Sequence, residues 1–241
     1  MVAVVGTRGA RRESTDLAHD LAAGVAEAGY VVVSGGAIGV DAAAHTGALD
    51  AGGLTVAVLG SGLDRPYPER NLALFARIVT GRGALVSPYP VGTPPRRGNF
   101  PARNKLVAAL ARVVVVVEAP LRSGALNTAR HARELGVPVL AAAHGHGALG
   151  LLRAGAGLVE RAADVLHVLN GGPPRTHREP PDDPDAARLL DLLRAGSGLR
   201  VDEVAHALGW TPSRSAASLL RLEVEGWVCS RPGGLFEVFE G

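Results

Sequence analysis

The sequence is poor in cysteine and aromatic residues, and it contains no long apolar run. Its single cysteine, Cys229, cannot form an internal disulfide or a cysteine-based metal cluster, as is usual in a reducing cytosol. The apolar run at 113–117 is far shorter than the roughly 20 residues that span a bilayer. No basic stretch precedes the strand-like run at 2–5, so no signal peptide is expected. We therefore expect a soluble cytoplasmic protein with no membrane segment.

Familiar catalytic motifs are absent as well. The sequence contains no P-loop, and the turn Gly6-Thr7-Arg8 lacks the full GxGxxG dinucleotide fingerprint. Asp41 and His45 have i, i+4 spacing on one predicted helix, which suits two metal ligands or an acid–base pair. Helix capping by Asp41 and a local contact between the two side chains are the simpler interpretation.

Other candidate reactive groups have no evident partner. His144 and His146 lack nearby carboxylates, so we expect loop residues rather than metal ligands. Glu118 follows the fifth predicted strand and is the best single carboxylate for acid–base work, but pairing with an arginine is its expected role. Cys229 lies in a predicted strand and is expected in the core. The sequence thus predicts a protein without catalytic residues, cofactor or metal.

The charge is unevenly distributed, although the net charge is only +2. Residues 1–170 hold 17 Arg and Lys against 12 Asp and Glu, whereas residues 185–241 hold 6 against 8. A polyanionic partner is therefore expected to bind the first part of the chain. Glycine, at 32 of 241 residues, is frequent without a collagen repeat, which indicates tight backbone turns.

Short β-branched runs alternate with alanine-rich helical patterns in the first part of the chain. Strands are predicted at 2–5, 30–33, 55–59, 84–86, 113–117 and 137–140, and helices near 14–28, 39–51, 68–80, 102–111 and 123–135. Strands separated by helices form parallel sheets through right-handed crossovers, and continuously apolar strands are buried on both faces. The sequence therefore predicts a doubly wound α/β fold with a mainly parallel, Rossmann-like sheet.

A proline-rich stretch separates this pattern from a second one. Residues 170–184 contain five prolines and read as a semi-extended linker. Helices are predicted at 185–194, 201–208 and 212–226, followed by strands at 227–231 and 235–239. Thr211 or Ser213 would cap the third helix. We expect a Rossmann-like domain at 1–169, a linker at 170–184 and a winged helix at 185–241.

Small polar turns follow several predicted strands. They are Gly6-Thr7-Arg8, the segment Ser34-Gly35-Gly36-Ala37-Ile38-Gly39, Gly60-Ser61-Gly62 and Ser123-Gly124. Ligands of open α/β sheets bind at the carboxyl ends of the strands, where glycine and the next helix's free N–H groups accept anions. Four such turns at one edge favour a phosphate-lined groove over simple turn formation.

A basic segment lies at residues 94–105. Arg96, Arg97, Arg103 and Lys105 contribute four positive charges, with Phe100 among them and no acidic residue. Basic side chains with an interleaved aromatic ring can hold the phosphates and stack one base of a single-stranded nucleic acid. A solvated basic loop with Phe100 filling the core explains the segment equally well.

Taken together, these segments resemble one known family, DNA processing protein A (DprA/Smf). The matching segments are Val5-Gly6-Thr7-Arg8, residues 33–45, residues 58–68, Asn99-Phe100-Pro101-Ala102-Arg103-Asn104-Lys105, Glu118-Ala119 and residues 123–129. Their order and spacing agree with the family over residues 1–168, and a small winged helix after a linker also fits.

The resemblance implies a protein that binds single-stranded DNA without hydrolysing it, dimerises through its Rossmann-like domain and loads the recombinase RecA in natural transformation. Arg8 would be the groove arginine, and Arg103 and Lys105 the basic residues of the Phe-Pro-x-Arg-Asn segment. Ser34, Gly35, Gly39 and Asp41 would shape the pocket floor. The candidate DNA-binding residues are Gly6, Thr7, Arg8, Ser34, Gly35, Gly39, Asp41, Gly60, Ser61, Gly62, Phe100, Arg103, Asn104, Lys105, Ser123 and Gly124.

The sequence departs from the family pattern at three places. It starts at the first predicted strand, without the helical N-terminal domain common in the family. Thr7 replaces the usual serine and keeps the hydroxyl. Residues 142–150 are a shortened version of the family's loop after the last main strand, which puts ligand contacts there in doubt.

Two other functions compete with single-strand binding. A phosphoribohydrolase needs a glutamate in its Pro-Gly-Gly-x-Gly-Thr-x-x-Glu motif, but His131 stands at that position. A winged-helix regulator of duplex DNA would use Arg214 and Arg221 on its recognition helix. Glu223 and Glu225 on the same helix weaken phosphate attraction and favour a protein-contact or auxiliary DNA role.

Overall fold

The computed structural model describes residues 1–176, 183–196, 198–225 and 227–238. Contacts divide the chain into two compact units, residues 1–177 and 178–241, which we call the first and second unit and describe separately. Within the described ranges, no helix combines the length and the apolar character needed to cross a bilayer.

The first unit is built on a seven-stranded parallel sheet. Its strands are β1 (Val2–Val5), β2 (Val32–Ser34), β3 (Thr55–Val58), β4 (Ala84–Val86), β5 (Val113–Glu118), β6 (Val139–His144) and β7 (Gly157–Leu158). The spatial order is β4-β3-β2-β1-β5-β6-β7, with every neighbouring pair parallel. The order reverses between β1 and β5, and ligands of doubly wound sheets bind at this switch point.

Helices cover both faces of the sheet. They are α1 (Arg12–Glu27), α2 (Val40–Asp50), α3 (Leu72–Thr80), α4 (Asn99–Leu110), α5 (Gly124–Glu134), α6 (His146–Arg153) and α7 (Ala162–Leu169), with a 3-10 turn at Glu69–Asn71. Alternate residues of β1 point to opposite faces: Ala3 and Val5 pack with α4, α5 and α6, and Val2 and Val4 pack with α1, α2 and α7. Burial on both faces explains the unbroken valine runs.

The doubly wound α/β fold expected from the sequence is confirmed, but its last part was not predicted. The strand predicted at 137–140 runs on as β6 to His144, and α6, β7 and α7 follow. His144 ends a strand and His146 starts a helix, so the expectation that both are loop residues is wrong. Gly145, at a φ of +85°, makes the sharp turn between them.

Part of the predicted linker packs on the first unit. The backbone N–H of Leu158 in β7 donates to the carbonyl of Arg175 at 2.7 Å, and Thr176 forms an isolated bridge with Gly157. The Arg175 guanidinium also pairs with Glu160 at 3.0 Å and with Asp164 at 3.3 Å. Residues 177–182 of that linker lie outside the described residues.

The second unit has the helices and strands of a winged helix. They are α8 (Pro184–Arg194), α9 (Val201–Leu208), α10 (Pro212–Val224) and the antiparallel pair β8 (Val228–Arg231) and β9 (Leu235–Val238). Its core includes Leu189, Leu219 and Leu222, and Thr211 caps α10 by accepting the backbone N–H of Arg214 at 3.3 Å. Cys229 in β8 is half-buried, not the core residue expected. Residue 226 of the predicted third helix and residue 239 of the predicted last strand lie outside the described residues.

Candidate functional site

A cavity of about 640 Å³ opens at the carboxyl ends of the central strands of the first unit. It lies beside β1 and β2 and is closed by the first turns of α4 and α5. Four arginines line it, namely Arg8, Arg97, Arg103 and Arg122, and Asp41 is the one acidic residue of the lining. The site is therefore cationic, as the sequence predicts for a polyanion site.

The turn after β1 is held tightly in place at the cavity edge. The backbone N–H of Thr7 donates to the Glu118 carbonyl at 2.8 Å, and the N–H of Val40 donates to the Thr7 carbonyl at 3.3 Å. Gly39 has a φ of +81°, and a Cβ there would lie 2.5 Å from the Thr7 carbonyl oxygen, so only glycine fits. The backbone before Arg8 is therefore held in place, and the Arg8 side chain is exposed.

Arg103 is a structural part of the cavity floor. Its side chain comes from α4, is only 4% exposed and donates to the carbonyls of Gly35 and Val58 at the ends of β2 and β3. Beside it, the Asp41 carboxylate accepts the backbone N–H of Ala37 at 3.2 Å. Burial raises the pKa of Asp41, and the positive charge of Arg103 opposes that rise. Arg103 thus links the ends of β2 and β3. Its positive charge compensates the carboxylate of Asp41, the one acidic residue of the lining.

Aromatic rings cover one side of the cavity. Phe100 is half-buried, and a Cβ on Gly60 would lie 2.7 Å from its ring. The Arg8 guanidinium lies over the Phe100 ring at 5.3 Å from its centroid, and the Tyr67 ring lies at 5.8 Å. Phe100 thus joins the core to the cavity and supports Arg8 through a cation–π contact.

The start of α5 faces the cavity with its free N–H groups. Ser123 caps the helix by accepting the N–H of Ala125 at 3.2 Å, and Asn104 donates to the Gly124 carbonyl at 3.0 Å. Arg122 directly precedes the cap and is exposed. A helix start carries a partial positive charge, so this edge attracts an anion as the arginines do.

The structure brings ten of the sixteen predicted residues into the cavity lining. They are Gly6, Thr7, Arg8, Gly35, Asp41, Phe100, Arg103, Asn104, Ser123 and Gly124. Ser34, Gly39, Gly60, Ser61, Gly62 and Lys105 are not among the lining residues. All of these except Lys105 lie at or near the strand ends below the cavity. Ser34 is an example, because its hydroxyl donates to the Val4 carbonyl at 2.6 Å.

Lys105 does not line the cavity. It is exposed on α4. The pKa of Glu134 on α5 is lowered mainly by a hydrogen bond with His131, and the charge of Lys105 makes a smaller contribution. Arg97, Arg122 and Tyr67 line the cavity although they were not among the predicted site residues. Each was visible in the sequence, because Arg97 lies in the basic segment, Arg122 precedes Ser123, and Tyr67 closes a family-like motif.

The expected pairing of Asp41 with His45 is not what the structure shows. Gly39, not Asp41, is the N-cap of α2, and no side chain caps that end. His45 is fully buried, with Nδ1 2.7 Å from the Thr55 hydroxyl. That hydroxyl donates to the Val32 carbonyl at 3.0 Å, so His45 must donate its Nδ1 proton to it. Burial, followed by the Arg103 charge, lowers the pKa of His45 to about 3.

Glu118 also differs from its expected role. Its carboxylate accepts the backbone N–H of Arg11, just before α1, at 3.1 Å, rather than pairing with an arginine side chain. Glu118, at the end of β5, therefore holds the residue that precedes α1. Across the described ranges, no group of three or more His, Cys, Asp and Glu side chains could hold a metal ion.

The arginines of α10 in the second unit are engaged by acidic residues. Arg214 pairs with Asp185 and lies 4.7 Å from the centroid of the Trp210 ring, and Arg221 pairs with Asp183. Both acids lie at the start of α8, where Asp183 is the N-cap. These contacts hold α10 against α8. They also neutralise the arginine charges that a protein binding duplex DNA would use.

Fold and site together define a two-unit protein of the Rossmann-like and winged-helix class, with a cationic cavity at the strand ends of its first unit. A family model described as DNA recombination-mediator protein A matches residues 1–170, and one described as the DprA winged helix domain matches residues 173–234. The chain belongs to this DprA/Smf family of DNA processing proteins.

Named relatives support this assignment over most of the chain. A DNA processing protein DprA of Mycobacterium tuberculosis is 46% identical over 245 residues, which cover 96% of this chain and 62% of that protein. The chain thus spans less than two thirds of that relative's length. The Streptococcus pneumoniae DprA structure has a TM-score of 0.63 and 40% identity, covering 68% of this chain and 60% of that one. A Helicobacter pylori DprA structure, described for its single-stranded DNA binding mode, has a TM-score of 0.63 and 32% identity, covering 70% of this chain and 80% of that one.

Proposed function

We propose that the first unit binds single-stranded DNA in the cavity at the strand ends, without catalysing a reaction on it. The observation that carries this proposal is the charge of the lining, which combines four arginines with a single acidic residue. Family membership and the Helicobacter pylori relative support the same ligand.

The exposed arginines supply the attraction for phosphates. Within the described part of the chain, Arg8, Arg97 and Arg122 form no ion pair with an acidic side chain, so their charges are available to a ligand. Each phosphate that they neutralise releases counterions from the DNA, which favours binding at low salt. The start of α5 adds backbone N–H groups at the same edge.

The aromatic rings favour a single strand over a duplex. A single strand can turn its bases toward a protein, whereas a duplex keeps them stacked and paired inside. Tyr67 and Phe100 lie at the cavity beside Arg8, so one ligand could contact an arginine through a phosphate and a ring through a base. This combination of charge and rings is typical of single-strand binding sites.

The motif that a phosphoribohydrolase uses is incomplete in this chain. The phosphoribohydrolase alternative requires a carboxylate on α5, but His131 occupies that position, and its Nδ1 lies 3.0 Å from Glu134. Asp41, the one carboxylate of the lining, is buried and accepts the backbone N–H of Ala37, which supports a structural role for it. We therefore propose a binding role, with the strand released unchanged.

The proposal also includes two assembly steps. We propose that the protein forms a homodimer through its first unit and delivers the bound strand to RecA in the cytoplasm. Family membership supports both steps. Light scattering of the free protein should give twice the chain mass. RecA should assemble faster on a strand coated by single-strand-binding protein when this chain is present.

The decisive test is a titration of matched single-stranded and duplex oligonucleotides over a salt series. We expect tighter binding of the single strand, with a logarithmic salt slope of about −0.7 for each phosphate contacted. Arg8→Ala should weaken binding and reduce the slope. Arg77→Ala is the matched control, because Arg77 pairs with Asp50 outside the cavity. Equal affinity for the two forms, or release of free base from AMP, would contradict the proposal.

A further inference from the structure

The outward face of α10 in the second unit is apolar and exposed. Leu219 and Leu222 of this helix pack in the core, whereas Leu220 is 55% exposed and Val224 is 89% exposed. Within the described ranges, Val224 is the most exposed of the large apolar side chains. Single exposed apolar residues are ordinary, but a continuous apolar surface marks an interaction site. The face of α10 therefore calls for an explanation of its own.

These two side chains belong to a row of four exposed residues, which we call the α10 stripe: Ser213, Ala217, Leu220 and Val224. Their spacing of four, three and four residues places them on one side of the helix. The stripe extends over about 17 Å, at 1.5 Å for each residue. A helix that reads duplex DNA presents hydrogen-bonding side chains to the base edges. Three of the four stripe residues have none, so the stripe favours a protein partner over DNA.

The α10 stripe has small residues at one end and large residues at the other. Ser213 and Ala217 form its first half, and Leu220 and Val224 form its second half. When two such stripes pack antiparallel about a two-fold axis near Leu220, the large half of each lies on the small half of the other. Val224 of one copy then lies against Ser213 and Ala217 of the second copy. A face that fits itself in this way has the self-complementarity of an isologous interface.

The charges beside the stripe are complementary in the same arrangement. Arg214 and Glu225 are eleven residues apart, which is about three helical turns, so both lie on the same flank of the stripe. Antiparallel packing brings Arg214 of each copy beside Glu225 of the other. The Arg214 guanidinium already pairs with Asp185, but its five N–H donors can serve a second carboxylate. Arg221 approaches its counterpart near the axis, where its pairing with Asp183 neutralises its charge.

We infer that the α10 stripe binds the α10 stripe of a second copy of this chain, so that two second units pair through their third helices. One helix face is smaller than the roughly 800 Å² that each partner buries in a stable complex, so it would not hold two free chains together. The inference therefore rests on the proposed homodimer of the first unit, which raises the effective concentration of the two second units to the millimolar range.

Cysteine cross-linking of the full chain tests this contact. In a Cys229→Ser background, Leu220→Cys provides one thiol at the expected axis, where identical residues come within the Cα separation of about 4.4–6.8 Å that a disulfide spans. Arg188→Cys is the matched control, because Arg188 is exposed on α8, outside the stripe. Under mild oxidation, Leu220→Cys should form covalent dimers at least about tenfold faster than Arg188→Cys. Adding Val224→Glu should remove this difference, because it places a charge in the apolar contact.

Light scattering of the reduced wild-type protein separates the two proposals. If the protein is a dimer and Leu220→Cys cross-links no faster than Arg188→Cys, the inference is overturned and the proposed homodimer stands. Duplex DNA that shields the Leu220→Cys thiol from alkylation, with no cross-link formed, would assign the stripe to DNA and overturn the inference as well. A monomeric wild type would overturn the proposed homodimer. The stripe is then tested at millimolar chain concentration, where equal cross-linking rates of the two variants overturn the inference too.

Discussion

The two units of this protein use arginine in opposite ways. At the cavity of the first unit, Arg8, Arg97 and Arg122 have no acidic partner among the residues that the structure describes. On α10 of the second unit, Arg214 and Arg221 are paired with Asp185 and Asp183. The number of arginines alone therefore does not locate a polyanion site. What matters is whether acidic residues of the same chain already neutralise them.

Arg103 represents a third use of the same side chain. It is buried, and it stabilises the strand ends and Asp41 rather than meeting solvent. The comparison thus distinguishes structural, neutralised and available arginines.

Replacing Arg103 should damage the fold more than any change to the exposed arginines. Arg103→Leu leaves the carbonyls of Gly35 and Val58 without their donor and removes the positive charge beside buried Asp41, and together these losses should cost about 3–5 kcal/mol of unfolding free energy. Chemical denaturation followed by circular dichroism measures this loss. The double variant with Asp41→Asn should recover part of it because the buried charge is gone. If the double variant is no more stable than Arg103→Leu, the uncompensated charge of Asp41 is not part of the cause.

Removing the three available arginines should abolish most DNA affinity while leaving the fold intact. The triple change of Arg8, Arg97 and Arg122 to alanine removes about three phosphate contacts, which amounts to about a hundredfold in affinity at 0.1 M salt. Fluorescence anisotropy over a salt series should show the slope reduced by about 2. A triple variant with an unchanged slope would show that the phosphates bind elsewhere.

Acid should weaken the first unit before the second. Its buried His45 has a pKa of about 3, whereas an unfolded histidine titrates near 6.5. Because the unfolded state binds the proton first, stability is complete above pH 6.5 and falls as pH decreases toward 3. The loss is about 2 kcal/mol at pH 5. His206, the histidine of the second unit within the described residues, is exposed rather than buried.

The two units can be followed separately in this experiment. Trp210 and Trp227 both lie in the second unit, so tryptophan fluorescence reports its unfolding, while circular dichroism reports both units. Lowering the pH from 7 to 5 should shift the circular dichroism transition more than the fluorescence transition. His45→Gln should remove the difference. Equal shifts in both signals would assign the acid sensitivity to another group.

Removing the acidic partners should give the second unit a weak affinity for duplex DNA. Hydrogen bonding to Arg221 lowers the pKa of Asp183, so the pair is ionised at neutral pH. Asp183→Asn with Asp185→Asn removes one acidic partner from each arginine, leaving Glu225 3.8 Å from Arg221, and asparagine keeps the N-cap of α8. Duplex affinity should rise a few-fold, with a salt slope steeper by up to about 2. An unchanged slope would mean that the ion pairs are not the reason why α10 binds duplex DNA weakly.

The sequence predicts the strands of the central sheet and the position of the site because both follow from local patterns. Valine runs mark buried strands, and glycine-rich turns mark the strand ends that meet at one edge. By contrast, α6 begins at His146 between two glycines, where no apolar periodicity is visible at its start. Helices that depend on tertiary packing are difficult to predict from such a stretch.

The roles of individual arginines could not be predicted in the same way. Arg97, Arg103 and Lys105 are neighbours in one basic segment, yet Arg103 is buried, Arg97 lines the cavity and Lys105 is exposed outside the lining. Arg97 precedes α4, whereas Arg103 and Lys105 lie on it, and the helical turn sends side chains two residues apart to different sides. Burial and pairing also depend on contacts with distant residues such as Asp41, which no local pattern shows.

Arginine footprinting tests the central distinction most directly. Phenylglyoxal modification of the full chain, with and without a single-stranded oligonucleotide, followed by mass spectrometry, reports each arginine separately. We expect the oligonucleotide to protect Arg8, Arg97 and Arg122 and to leave the reactivity of Arg214 and Arg221 unchanged. Protection confined to Arg214 and Arg221, with the three cavity arginines still reactive, would contradict the account.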